Sequence, residues 1–351
     1  MNLATAKTIV RNLIKGNLEG DNTTDFARNI VPHLVSDPGI GKTSIVKQIC
    51  TEEGYHLIEV VLPQYDPAEL SGFPMLDMEN KLYERARPFW WSFPTDKPTV
   101  IFFDEISQGT TPHHNVVAKL INERNLGPDR VLPDNVVIVT SGNKMSNRAG
   151  TQPMPSHLKD RLTFLEIEAD IETFLDHAFK LEMDHRITGF LRHRPDFLAM
   201  FDAAADACPS PRSWMRVDTI LSYNIGRLEE MLTVAGQIGN GAQADFLGYL
   251  EVASDMPDPE EVLKDPMGAK VPEDPAVLYA TCAALSSYVT KSTAANLCKY
   301  VDRFKNKEFS AFCVRDALKR TPDLKKEKAV TQWFLNSGRC LLYTSPSPRD
   351  S

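Results

Sequence analysis

Ser36-Asp37-Pro38-Gly39-Ile40-Gly41-Lys42-Thr43 is the stretch that decides the fold. It follows the apolar run Ile30–Val35 and leads into SIVKQIC, from Ser44 on, whose apolar spacing is helical. A strand, a glycine-bearing loop and a helix in that order can close backbone N–H groups around a phosphate. Gly39 and Gly41 let the chain curl tightly enough for successive N–H groups to turn inward. The helix N-terminus brings a positive dipole end to the same point. In such a loop Lys42 reaches the β- and γ-phosphates and the Thr43 hydroxyl coordinates Mg²⁺. Ser36, Asp37, Pro38, Gly39, Ile40, Gly41, Lys42, Thr43 and Ser44 are therefore the expected nucleotide-binding segment, with ATP and Mg²⁺ as cofactors. Two features depart from the pattern G-x-x-x-x-G-K-[ST]: Ser36 stands where glycine is expected, and Asp37 brings a carboxylate near the polyphosphate.

Downstream, Thr99-Val100-Ile101-Phe102-Phe103-Asp104-Glu105 reads as a buried strand ending in two carboxylates. Such a strand can bring Asp104 beside the loop to hold Mg²⁺, directly or through water. Glu105, one residue on, can polarise a water for in-line attack on the γ-phosphorus. Successive side chains point in different directions, so the two acids can divide these roles.

From about Asn29 to Glu168 short β-branched runs alternate with helical stretches. Strands are expected at Ile30–Ser36, His56–Leu62, Thr99–Phe103, Asn135–Thr140 and Phe164–Ile167, and helices at Thr43–Glu53 and His114–Asn122. That alternation implies an α/β fold with a mostly parallel sheet covered on both faces, and the phosphate loop makes a P-loop NTPase three-layer sandwich the expected form. Beyond Asp170 strands give way to helices: Ile171–Glu182, then 211–235, 243–254, 275–304 and 308–319. A Pro- and Asp-rich connection, Asp255–Pro275, interrupts them and reads as an ordered loop or semi-rigid linker. The expected division is an N-terminal helical segment (1–28), the nucleotide-binding core (29–170), an α-helical lid with a C-terminal helical region (171–339) and a tail (340–351). The tail, CLLYTSPSPRDS, breaks from the preceding text, resembles the translation of a sequencing adapter and is expected to be non-native; a natural Ser/Pro-rich disordered tail is the other reading. Leu3, Ala6, Ile9 and Leu13 are expected to share one face of the first helix.

Composition narrows the alternatives. The 351 residues are 42% apolar and 25% charged, close to an ordinary globular domain. No apolar run approaches the ~18 residues of a membrane span, and the N-terminus lacks the form of a signal peptide, so a cytoplasmic protein is expected. The net charge of −8 provides no whole-chain basic field for nucleic acid, though a local patch remains open. Cys50, Cys208, Cys282, Cys298, Cys313 and Cys340 form no C-x-x-C pair, which argues against structural zinc and for free thiols. His113 and His114 read as a surface helix start.

With both nucleotide signatures in place, the chain resembles the AAA+ ATPases, and among them the MoxR-like group with its bacterial and phage members. The resemblance runs from about Ile30 to Arg212 and more loosely to Val301. Ser141-Gly142-Asn143 resembles the sensor 1 segment, which implies that Asn143 helps orient the attacking water; a turn-forming Asn is the other reading. Pro155-Ser156-His157-Leu158-Lys159-Asp160-Arg161-Leu162 resembles the segment carrying the arginine finger, which implies that Arg161 reaches the nucleotide of the neighbouring subunit. Arg148 is its rival for that role, and pairing with Asp160 or Glu166 is the alternative for Arg161. Pro209-Ser210-Pro211-Arg212-Ser213-Trp214 resembles sensor 2, which implies that Arg212 contacts the nucleotide of its own subunit. Gln64–Pro74 resembles the MoxR segment that leads into an insertion; Trp90 and Trp91 after it are read either as half-buried packing or as partner contacts.

The family implies a ring oligomer, hexameric, that hydrolyses ATP between subunits and remodels a protein client, commonly with a partner bearing a von Willebrand factor A-type domain. A DNA-dependent ATPase or replication loader is the alternative, with Arg186–Arg194, Arg303–Lys307 and Lys319–Lys328 as its basic segments. A third class binds ATP with little turnover, for which Ser36 is the sequence feature.

Overall fold

The computed structural model describes residues 1–20, 29–79, 82–144, 152–223 and 225–337. They form two compact units, one of Met1–Ala169 with Phe201–Ala204, the other of Asp170–Met200 with the chain from Ala205 on. Arg148 and the tail from residue 340 lie outside the described residues.

The first unit is built on a parallel five-stranded sheet of β1 (Val31–Ser36), β2 (His56–Val61), β5 (Thr99–Asp104), β6 (Val136–Asn143) and β7 (Leu162–Glu166), in the order β2-β5-β6-β1-β7. A separate antiparallel hairpin of β3 (Pro74–Asp77) and β4 (Leu82–Arg85) is inserted between β2 and β5. The helices are α1 (Leu3–Glu19), α2 (Lys42–Glu53), α3 (Pro67–Ser71), α4 (Thr111–Glu123) and α5 (Ser156–Lys159). Because side chains alternate along a strand, Ile101, Phe103, Val136 and Ile138 join the cluster that holds Val117, Leu120 and Ile121 of α4. Val100, Phe102, Val137 and Val139 are equally buried and point the other way; α1 touches β6 and α2 touches β5. The result is three layers. Phe102 and Phe103 are wholly enclosed, each contributing about 1.5–3 kcal/mol by burial.

Several expectations shift. On α1 the enclosed residues are Ala6, Val10, Ile14 and Asn17, while Leu3, Ile9 and Leu13 are half-buried at its flank. Asn17 belongs to that face because its amide donates to Ile30 O at 2.8 Å and accepts from Ile30 N at 3.2 Å. Strand β6 runs three residues past Thr140, since parallel pairing with β1 continues to Ser36↔Asn143. His113 and His114 are not at the surface: both are buried, with His113 Nε2 bonded to Tyr65 O and His114 Nε2 to Ile106 O, each at 2.8 Å. They tie α4 to the loops beneath it. Trp90 is buried edge-on against Phe103, so this tryptophan is packing.

In the second unit α6 (Ile171–Lys180), α7 (His185–His193), α8 (Pro211–Ser222), α9 (Arg227–Ala253), α10 (Pro259–Lys264), α11 (Pro275–Tyr288), α12 (Ala294–Val301), α13 (Lys307–Arg320) and α14 (Lys328–Ser337) follow one another. Side-chain caps start many of them: Asp170, Asp184, Asp258 and Asp274 accept first-turn N–H groups. The cap at Asp258 and Pro259 places α10 inside the connection read as a linker, a helix the sequence reading omits. Helix α11 is buried on most sides and packs on α7, α9 and α13. The segment expected at 211–235 is divided, α8 ending at Ser222 and α9 starting at Arg227, while the interruption expected between 235 and 243 coincides with a non-helical residue inside α9. Gly239 kinks α9 with φ 80° and ψ 156°; a Cβ there would stand 2.7 Å from Ala207 O.

Candidate functional site

The site forms at the carboxyl ends of β1, β5 and β6. Strand β6 lies between the other two, so the register sets the heights of their ends: Ser36 pairs with Asn143 and Phe103 pairs with Thr140. Asp104 therefore comes level with Ser141. Beyond β1 the chain turns through Gly39 (φ 81°) and Gly41 (φ 114°), left-handed conformations that favour glycine, and enters α2 at Lys42. The first-turn N–H groups of α2 have no carbonyl within the helix to bond and form an anion-binding end.

Lys42 is nine-tenths buried, and its ammonium donates to Asn143 Oδ1 at 3.0 Å, Ser36 Oγ at 3.0 Å, Ser36 O at 3.3 Å and Asp37 O at 3.4 Å. Thr43 Oγ1 donates to Asp104 Oδ2 at 2.6 Å. The two nucleotide signatures, 61 positions apart, thus meet in one bond. Asp104 Oδ1 accepts from Ser141 Oγ and from Glu105 N, the latter at 2.9 Å. Glu105 has left-handed backbone, φ 54° and ψ 35°, which costs a non-glycine residue about 1–2 kcal/mol. Glu105 is partly exposed. Asn143 is held from behind as well, its N–H donating to Ser107 Oγ at 2.9 Å.

Ser36, the departure from glycine, is completely buried and serves as an internal ligand: its hydroxyl donates to Asp37 O at 2.7 Å and accepts from Lys42. Three residues earlier on β1, His33 is buried and bonds Thr140 Oγ1 at 2.8 Å. Desolvation, with the Lys42 charge adding to it, lowers its pKa to about 3 and keeps the ring neutral.

The two arginines lie apart from this cluster or in the other unit. Arg161, just before β7, donates to Asn122 Oδ1 at 3.2 Å and to His157 O. Its alternative partner Glu166 instead binds Lys144 at 2.7 Å, a bond that holds the carboxyl below its usual range. Arg212 stands exposed at the second position of α8, whose start is fixed by reciprocal bonds between Ser210 and Ser213. Ser44 is exposed on the first turn of α2. Sequence reasoning missed Ser107 and Ser141 as members of the site. The one available signal was the polar residue at each strand end, which by itself does not separate a site from a turn.

The donors offered at Thr43 and Asp104 are a hydroxyl and a carboxylate, hard oxygens that suit Mg²⁺, an ion that leaves most of its shell to water and phosphate. Among the described residues no group of three or more His, Cys, Asp or Glu is placed to hold a metal alone, as zinc would require.

Residues 33–161 match the model of the family described as ATPase family associated with various cellular activities (AAA). The five-stranded parallel sheet with its phosphate loop is the P-loop AAA fold, and a helical region follows it. A comparison with curated proteins returns no match. Among solved structures, a Cytophaga hutchinsonii protein classed as an ATPase aligns at 14% identity over 95% of this chain and 88% of that one, with a TM-score of 0.33. A Thermotoga maritima RuvB variant aligns at 16% identity over 81% and 82%, TM-score 0.38, and C. elegans PCH-2 at 14% over 71% and 68%, TM-score 0.33. Likenesses this distant lend no weight to a functional reading. No helix among the described residues is long and apolar enough to cross a membrane.

Proposed function

We propose that this chain is a MoxR-like AAA+ ATPase that hydrolyses ATP between the subunits of a ring, probed first as a hexamer, and uses the motion to remodel a protein client. The observation that carries the reading is the bond from Thr43 to Asp104, with Lys42 and Asn143 beside it. Thr43 and Asp104 would hold Mg²⁺, which when bound neutralises charge on the β- and γ-phosphates. Lys42 exchanges its loop partners for phosphate oxygens. Glu105 accepts a proton from the attacking water, and Asn143 fixes that water's position. Arg161 acts from the neighbouring subunit, and Arg212 reports nucleotide state to the helical unit. A client-side partner with a von Willebrand factor A-type domain and a cytoplasmic location, in a bacterium or a phage-infected cell, complete the proposal.

The DNA-dependent alternative needs free basic surface, and the arginines of its first candidate segment all have carboxylate partners. Arg186 pairs with Asp184, Arg192 with Glu172 and Asp316, and Arg194 with Asp196 and Asp245. Lys305, Lys319 and Lys326 also have carboxylate partners.

Size-exclusion chromatography with and without a non-hydrolysable ATP analogue, coupled to phosphate release, tests the proposal. A larger species with the analogue and steady turnover with Mg·ATP are expected. A chain that ignores ATP in both measurements overturns it.

A further inference from the structure

Asp104 uses its two oxygens differently. Oδ2 meets Thr43, whereas Oδ1 takes two donors, the Ser141 hydroxyl and the Glu105 N–H. Ser141 is completely buried on β6, at the level where the strand pairing brings it beside Asp104. A hydroxyl bonded to a buried carboxylate is a charge-assisted contact, and burial leaves no bulk water to replace it. By engaging Oδ1 it turns Oδ2 toward Thr43. The same oxygen holds the Glu105 N–H, and with it the left-handed backbone of Glu105.

We propose that Ser141 is a positioning residue: it orients the Asp104 carboxylate toward the cation it would share with Thr43 and, through Oδ1, fixes the backbone of Glu105. This inference rests on the reading of the site as one that hydrolyses Mg·ATP. In this role Ser141 acts through Asp104.

Ser141→Ala removes the hydroxyl; Ser141→Thr and Ser141→Val differ from each other by a hydroxyl at nearly constant volume, so their comparison survives any cost of the added bulk. Binding of a fluorescent ATP analogue is measured in EDTA and across a Mg²⁺ titration, beside kcat and KM. In EDTA all variants bind as wild type does. The Mg²⁺ concentration giving half-maximal enhancement of binding rises about tenfold in Ser141→Ala and Ser141→Val, as expected on losing one hydrogen bond to a charged group. Their kcat falls by a similar factor, while Ser141→Thr stays close to wild type. Equal Mg²⁺ dependence in Thr and Val variants overturns the proposal, as does a loss of affinity in EDTA as large as that in Mg²⁺. If wild type binds and hydrolyses Mg·ATP while these outcomes occur, only the role of Ser141 fails. A wild type inert toward ATP fails the functional reading as well.

Discussion

Replacing Ser36 by glycine, the residue usual at this position of the loop, should tighten ATP binding. The Ser36 hydroxyl is one of the two acceptors that lie 3.0 Å from the Lys42 ammonium. To meet a phosphate, that ammonium must give up or share loop partners. A hydrogen bond to a charged group contributes about 1.5–3 kcal/mol. In the variant the carbonyls of residues 36 and 37 and Asn143 Oδ1 remain to hold Lys42, so roughly 1 kcal/mol of the competition should disappear. At about 1.4 kcal/mol per tenfold, affinity should rise roughly fivefold. Isothermal titration with a non-hydrolysable analogue in Mg²⁺ measures it. Ser36→Ala removes the hydroxyl but keeps Cβ and should shift affinity the same way. Glycine near the end of β1 should also cost about 0.5–1 kcal/mol of stability, visible as a lower Tm. Unchanged or weaker binding in both variants would refute the reasoning: Lys42 would then keep the Ser36 hydroxyl while it holds phosphate.

Glu105→Gln should leave the Kd for ATP within twofold and lower kcat by about 10²–10⁴, the usual range for a lost general base; continued turnover removes Glu105 from that role. His33 makes stability pH-dependent. Its folded pKa of about 3 lies below the ~6.5 of the unfolded chain, so the unfolded state binds the extra proton between those values. The stability is fully present above pH 6.5 and is lost as pH falls through that window, by about 2 kcal/mol between pH 7 and 5. Denaturant unfolding of wild type and His33→Gln at both pH values checks this, and identical pH slopes would remove His33 as the cause. Gly239→Val places a Cβ against Ala207 O in a left-handed conformation and should cost about 1–3 kcal/mol, a Tm drop of several degrees by calorimetry; an unaltered Tm would mean that the kink straightens freely.

The phosphate loop and the acidic strand were legible because each joins a local pattern to a rigid geometric demand. Glycine at positive φ, lysine at a helix start and carboxylates at a buried strand end leave few alternatives. What escaped reading was set by distant partners. His113 and His114 follow a Thr-Pro helix start and look solvated, yet carbonyls of Tyr65 and Ile106 draw them inward. The extension of β6 to Asn143 depends on pairing with Ser36, more than a hundred residues earlier in the chain. Asn17 is enclosed on an otherwise apolar face because Ile30 bonds both ends of its amide. Helix α10 was a different failure. Asp258-Pro259-Glu260-Glu261 carries a cap, a first-turn proline and first-turn acids, a local signal outweighed by the Pro-rich text around it. Ser107 and Ser141 became recognisable only once the strand order set them beside Asn143 and Asp104.

The shared oxygen of Asp104 has a consequence for any genetic dissection of this centre. One carboxylate grips both the neighbouring strand and the peptide N–H of the next acid, so the effects of substitutions at 104, 105 and 141 should not add. Removing Asp104 releases both at once, and a second lesion has little left to take away. Epistasis of this kind would leave the trio free to change together while resisting each change alone.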